Sequence, residues 1–290
     1  MQNLIRTLVF DGQVSLTLAD TTAIVKKGIQ LHNLSRDAAL VFGKTLSAMT
    51  FMSACLKEEA GEISLSVKTE GTGEEIGVSG NRRLHMRGFI ANPNAIGTER
   101  TVLGELGSLT IIRDDGYNRP FVGACAFPKT GGVDEAFEEY YRISEQLPTY
   151  LATAVEFDEK DEISFAGVAV LQPLPFADEA VLQKTREASL KNLLESVKTR
   201  GVAESVTAFF TPDLSVWEMR EAKYQCNCSR NYLTRVLVSL GEEQMRQIIK
   251  EDGAVRVHCH YCNTDYQFTE EDADELFAQG NEKNEERKRS

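Results

Sequence analysis

The sequence predicts an α+β protein in three parts: a mixed α/β N-terminal domain over residues 1–175, a helical connector over 176–225 and a small C-terminal module over 226–290. Three observations predict it. Short runs of alternating apolar and polar residues, separated by glycines, fill much of the first part between helical patterns. Past Pro173-Leu174-Pro175 the alternation gives way to a helical period. Four of the six cysteines fall in the last 65 residues, in two short clips, Cys226-x-Cys228 and Cys259-x-x-Cys262.

Taken in order, Gln13–Leu18 alternates as a strand, and Asp20-Thr21-Thr22 is placed to cap a helix running through Ile29. Ser35 precedes a second helix whose apolar positions continue to Lys57 and cover most of its circumference. Glu62–Glu70, Glu74–Ser79 and Leu84–Ala91 read as an antiparallel meander. A further strand pair, Leu109–Arg113 and Pro120–Phe127, precedes a helix from Val133 to about Gln146. Strands are expected near Tyr150–Phe157 and Glu162–Leu171.

The connector is predicted to begin with one amphipathic helix, Asp178–Arg200, with Val181, Thr185, Ala188, Leu193 and Val197 near one stripe. Gly201–Gln225 is less regular, with Phe209 and Phe210 near Pro212 and a short strand around Trp217. The connector is too apolar for a free linker and too short for a core of its own. It should lean on a neighbour, either permanently or conditionally.

In the module, Ser229 can cap a helix carrying Leu233, Val236, Leu237 and Leu240. Ser239 and Gly241 mark a break before a second helix with Met245, Ile248 and Ile249, ended by Gly253. Val255–Val257 and Tyr266–Phe268 read as strands joined by a turn at Tyr261–Thr264. Thr269, with Asp272 three residues on, opens a last helix containing Leu276 and Phe277. The charged stretch Asn281–Ser290 is expected to be disordered.

Composition narrows the function. A formal net charge of −12 argues against a nucleic-acid partner, and residues 226–290 are themselves acidic, with 9 Lys+Arg against 13 Asp+Glu. No apolar run approaches a membrane span, the lack of a secretory leader pattern disfavours a secreted disulfide scaffold, and reduced thiols at metal-ligand spacing point to a cytosolic compartment. Gly71-Thr72-Gly73-x-x-x-Gly77 lies between strands with its third glycine one residue late for a dinucleotide fingerprint. Lys129-Thr130-Gly131 lacks the companion S-D-N element. No catalytic triad order, H-E-x-x-H or P-loop is present, and the reading is of a protein that is not an enzyme.

The clips carry the chemistry. Four thiolates can close a tetrahedral shell around one zinc ion, and a module with so few large apolar side chains needs such a staple. The one-residue gap in Cys226-x-Cys228 is unusual for a zinc clip and could also form a tight, labile disulfide. Spacing alone leaves open a permanent structural site and a redox switch. A thioredoxin-like pair fits poorly, because Cys259 follows a strand and does not open a helix. His258 and His260 read as surface residues of that strand, and Cys55 and Cys125 as core cysteines.

Cys226-Asn227-Cys228-Ser229-Arg230, Ser239-Leu240-Gly241, Glu251-Asp252-Gly253 and Cys259-x-x-Cys262 together resemble the redox-switched 33-kDa heat-shock chaperones of bacteria. The resemblance continues through Arg87-Gly88-Phe89-Ile90-Ala91-Asn92-Pro93, Tyr140-Tyr141-x-x-Ser144-Glu145-Gln146-x-Pro148 and Leu171-Gln172-x-Leu174-Pro175. Phe176 and Asn263 depart from it, each standing where a glycine is usual. The resemblance implies a cytosolic, ATP-independent holdase of the stress response, inactive while Cys226, Cys228, Cys259 and Cys262 hold one zinc. Oxidative stress would release the metal, form Cys226–Cys228 and Cys259–Cys262 disulfides, and unfold the module and connector. Exposed apolar surface would then capture unfolded client proteins, often as a homodimer, with no nucleic acid or membrane involved. Val181, Leu193, Val197, Phe209, Phe210 and Trp217 are the connector residues expected to be masked in the reduced state and to meet clients. The alternative is a static zinc-stapled interaction module without a switch.

Overall fold

Two β-sheets and one buried helix organise the first of two compact units, residues 1–225 and 226–290, in a computed structural model that describes residues 2–128 and 130–277. β1 (Leu4–Val9), which the sequence reading did not mark, forms a hairpin with β2 (Val14–Asp20). Asp20 Oδ1 accepts the Thr22 amide at 2.9 Å where α1 (Thr22–His32) begins. Ser35 Oγ accepts the Ala38 amide and caps α2 (Arg36–Ala54) as expected.

The predicted meander is present as β3 (Glu62–Thr69), β4 (Glu75–Asn81) and β5 (His85–Ile90). A short helix, α3 (Glu99–Leu103), follows and explains Gly71. A Cβ there would come within 2.3 Å of the Val102 carbonyl oxygen, so close backbone approach accounts for this glycine. β6 (Gly107–Asp114) and β7 (Phe121–Ala126) extend the sheet. α4 (Val133–Tyr140) ends in a π-helical turn, Tyr141–Glu145. β8 (Tyr150–Phe157) and β9 (Ile163–Pro173) then pair antiparallel.

The connector departs from the single helix expected over Asp178–Arg200. α5 (Glu179–Glu187) stops at Ala188, whose backbone is extended, and Ser189 caps α6 (Leu190–Phe209) through the Asn192 amide. A serine whose hydroxyl satisfies a first-turn amide starts a new helix as readily as it continues an old one. α6 is itself kinked at Gly201, where φ is 76° and ψ 173°, a conformation that glycine adopts without a Cβ clash. The stretch after Gly201, expected to be irregular, is therefore helical as far as Phe209. A 3₁₀ turn at Leu214–Val216 leads to β10 (Glu218–Arg220) and β11 (Lys223–Tyr224).

The five-stranded sheet runs β10-β1-β2-β9-β8, and the six-stranded sheet β11-β5-β4-β3-β6-β7. α2 packs against strands of both, which is why it is apolar all round; Phe42, Leu46, Met49 and Phe51 sit in a core shared with Val168, Val170, Leu65 and Val78. Of its buried hydroxyls, Thr45, Ser47 and Thr50 donate to the carbonyls four residues back, while Ser53 Oγ has no hydrogen-bond partner among the described residues. α5 and α6 contribute to a second core with the five-stranded sheet. There Val181, Leu193 and Val197 are buried among Ile5, Leu16, Leu18 and Phe165.

The second unit follows the predicted order. α7 (Arg230–Leu240) is capped by Ser229, Gly241 separates it from α8 (Glu242–Asp252), and Gly253 closes α8 in the left-handed conformation. β12 (Val255–Cys259) and β13 (Thr264–Phe268) form a hairpin, and residues 270–277 are helical (α9). Thr269 and Asp272 meet as expected, the carboxylate accepting the Thr269 amide at 2.8 Å. The core is small: Leu237, Met245, Ile249, Val255, Phe268 and Ala273. Arg230 braces it, lying 4.4 Å over the Phe268 ring and donating to Gln267 O and Asp272. Asn281–Ser290, expected to be disordered, lies outside the described residues.

Candidate metal centre

Two tight backbone devices aim the four thiols. Cys226 and Cys228 occupy the loop that ends at the α7 cap Ser229, and their sulfurs are 3.2 Å apart. Cys259 is the last residue of β12 and Cys262 stands in the turn to β13. The Cys262 amide donates to Cys259 O at 3.3 Å, and Asn263 takes φ 50°. That left-handed position is where a glycine is usual, and asparagine is among the residues that tolerate it.

The clips converge although residues 229–258 separate them. All four sulfurs lie within 4.8 Å of one another, with Cys226–Cys259 at 3.7 Å and Cys228–Cys262 at 3.0 Å. A tetrahedral shell with metal–sulfur bonds of about 2.3 Å has edges of ~3.8 Å, so this cluster has the dimensions of one four-coordinate site. Each cysteine is half-buried. His258 is engaged by Asp265 at 2.8 Å and stacks edgewise on His260, and neither belongs to the cluster.

Sequence reasoning did not find Tyr266. It was marked only as a strand residue, yet its Oη lies 3.4 Å from Cys228 Sγ. Its position in β13, opposite Val257, points it across the hairpin to the clip before α7. A strand alternation cannot reveal which distant sulfur a phenol will reach.

The environment differentiates the thiols. Burial opposes ionisation of Cys228, but hydrogen bonds with Tyr266 and the neighbouring sulfurs outweigh it and bring it down to about 7. Burial pushes Cys226 up to about 11 and also raises Cys262. The hydrogen bond to Cys228 raises the Tyr266 phenol. Cys55 and Cys125 lie in the first unit, both raised chiefly by burial and so unreactive as thiolates, Cys125 to about 11.

Comparison with known proteins decides the family. A family model described as Hsp33 protein matches residues 2–269. The chain belongs to the Hsp33 family. Curated relatives include the 33 kDa chaperonin of Clostridium novyi (strain NT), 32% identical, with 94% of this chain and 97% of the relative aligned. That of Clostridium botulinum (strain Langeland) is 30% identical over 94% of this chain and 96% of the relative. The crystal structure of the Hsp33 homologue from Thermotoga maritima superposes with a TM-score of 0.78 at 25% identity, covering 97% of this chain and 99% of that one. The α+β architecture is thus that of an Hsp33 structure, and membership supports a chaperone function with unfolded proteins as clients.

The connector residues fall into two groups in this Hsp33 chain. Val181, Leu193 and Val197 are buried on the five-stranded sheet. Phe210 and Trp217 are half-buried at its margin, Phe210 edge-on to Phe10 at 5.5 Å, whereas Phe209 is exposed. Phe176, the other departure from the family pattern, is also exposed. No described helix is long and apolar enough to cross a membrane.

Proposed function

We propose that this chain is a redox-regulated, ATP-independent holdase of the cytosol that is silent when reduced and active after oxidation. The convergence of Cys226, Cys228, Cys259 and Cys262 carries the reading. Four thiolates with no carboxylate among them suit zinc, a soft-tolerant ion that takes tetrahedral sulfur. A bound zinc ion would supply the cross-link between the clip before α7 and the hairpin turn, replacing the core this unit lacks.

Oxidation removes the ligands. Each pair of thiolates gives up two electrons to one peroxide, which leaves as water after taking up protons, and one S–S bond forms. Pairing within clips, Cys226–Cys228 and Cys259–Cys262, follows the family resemblance. In the reduced cluster the shortest approach runs between clips, from Cys228 to Cys262. The unit then loses its staple and unfolds. α5 and α6 are the elements whose release would uncover Val181, Leu193, Val197 and the sheet face they cover. Those groups, with Phe209, Phe210 and Trp217, form the proposed client surface, used by a dimer.

Zinc release and free thiols should be counted together in reduced protein and after peroxide at raised temperature, with Trp217 emission as the conformational readout. One zinc released per chain, four thiols lost and new suppression of aggregation are expected. Zinc retained with four protected thiols would reduce the centre to a static staple.

A further inference from the structure

The six-stranded sheet ends in β7, which bonds to β6 on one side and, among the described residues, to no strand on the other. The register fixes which groups face outward. The Phe127 amide donates to Gly107 O at 2.9 Å, one step beyond Ala126↔Ser108, so that pair is hydrogen-bonded. Bonded and non-bonded pairs alternate along an antiparallel ladder. Phe121, Gly123 and Cys125 therefore bond to β6, while Val122, Ala124 and Ala126 turn their N–H and C=O groups to the free edge. Among the described residues those six groups have no hydrogen-bond partner.

Other features of the strand agree. The side chains of Val122, Ala124 and Ala126 are exposed, and no charged residue stands within Phe121–Ala126. Unprotected edges of this kind are normally blunted by charge, bulge or cover. At the strand's first residue, half-exposed Phe121 borders a cavity of about 400 Å³ of mixed character, in which Met52, Leu56 and Leu147 stand beside the charged Arg113, Arg119 and Glu145.

We propose that β7 is a docking edge for an extended segment of unfolded polypeptide, which adds as a strand along Val122–Ala126. This deepens the holdase reading and rests on it for the source of the segment. Every residue but proline offers the same backbone donor and acceptor. A free edge therefore recognises extended conformation and not sequence, and the exposed side chains of Phe121 and Val122 add apolar contact beside it. That is the chemistry a binder of many unrelated unfolded chains requires.

Ala124→Pro tests it, because it deletes an outward N–H and leaves the β6 ladder, in which Ala124 makes no bond, intact. Ala124→Ser keeps the N–H and is the control. The probe is a fluorescein-labelled, Lys-flanked Val/Thr peptide of about eight residues, with a version N-methylated at alternate positions. Binding to the full chain, reduced and peroxide-treated, is read by anisotropy. Wild type and A124S are expected to bind, and A124P and the N-methylated peptide to be at least about tenfold weaker. Equal binding by folded A124P, no binding by wild type, or loss of a dimer at unchanged peptide affinity would each overturn the proposal. The last would assign the edge to a second copy. Should A124P not fold, the N-methylated peptide on wild type decides. Suppression of aggregation is measured in parallel. If wild type never suppresses it, the holdase reading fails while the peptide result still judges the edge. If A124P suppresses it as well as wild type does, the edge fails and the holdase stands.

Discussion

Stripping the metal from reduced protein should unfold residues 226–277 and leave the core built around α2 and β9 folded. The magnitude comes from the size of the second core, in which the large buried side chains are Leu237, Met245, Ile249, Val255 and Phe268. A unit of this length at about 0.05–0.15 kcal/mol per residue has a net stability of roughly 3–8 kcal/mol. Structural zinc contributes about 10–16 kcal/mol of apparent binding free energy in small zinc peptides at neutral pH. The ion's share exceeds the whole net stability, so its loss leaves a deficit that the brace of Arg230 on Phe268 and Asp272 cannot make up, since exposed ion pairs contribute ~1 kcal/mol or less. Hydrogen exchange read by mass spectrometry, with a chelator and a thiol reductant present, is the assay. Amides of α7, α8 and the β12–β13 hairpin should lose protection, while those of α2 and β9 keep theirs. Full protection of the hairpin in metal-free, reduced protein would refute the argument that the metal holds this unit together.

Leu193→Ala, at a fully buried position under the five-stranded sheet, should cost about 2–5 kcal/mol and speed proteolysis within residues 176–225 of reduced protein; limited digestion followed by mass spectrometry checks it. Gly201→Ala meets no atom within 4 Å, so only its backbone conformation (φ 76°, ψ 173°), a region nearly confined to glycine, opposes it, and a loss of about 1–3 kcal/mol in a urea titration is expected. In reduced protein stripped of metal, Cys226 and Cys228 should be alkylated at similar rates, because unfolding removes the burial that holds Cys226 at about 11 and the hydrogen bonds that hold Cys228 at about 7 in the folded unit. Peptide mapping after iodoacetamide at several pH values reads both, and a Cys228 rate that runs ahead of Cys226 and falls as pH drops through 7 would show that the folded cluster persists without metal.

Local signals were legible because a few adjacent residues carry them. Ser35, Ser229 and Thr269 were readable as caps since a hydroxyl or carboxylate within three residues satisfies the first amides of a helix. The alternation of β3, β4 and β5 was visible because one face of each strand is buried. β10 and β11, of three and two residues, were not fully legible. Strands this short have no period, and they exist because the chain returns to pair with β1 and β5. The division of the connector at Ser189 and Gly201 was hidden for a different reason: the apolar stripe continues across both breaks, and periodicity cannot distinguish one helix from successive segments on the same sheet.

The sequence by itself determined which side chains could ligate a metal, because two clips of cysteines at one- and two-residue gaps limit the chemistry before any fold is known. It also determined the order of helices and strands around them. The tertiary structure decided that the two clips meet, that Tyr266 reaches Cys228, and that Val181, Leu193 and Val197 share a core with Leu16 and Phe165. It alone decided that β7 ends its sheet. Each of these is a contact between segments far apart in the chain, set by how whole elements pack, and no short stretch of sequence records its eventual neighbour.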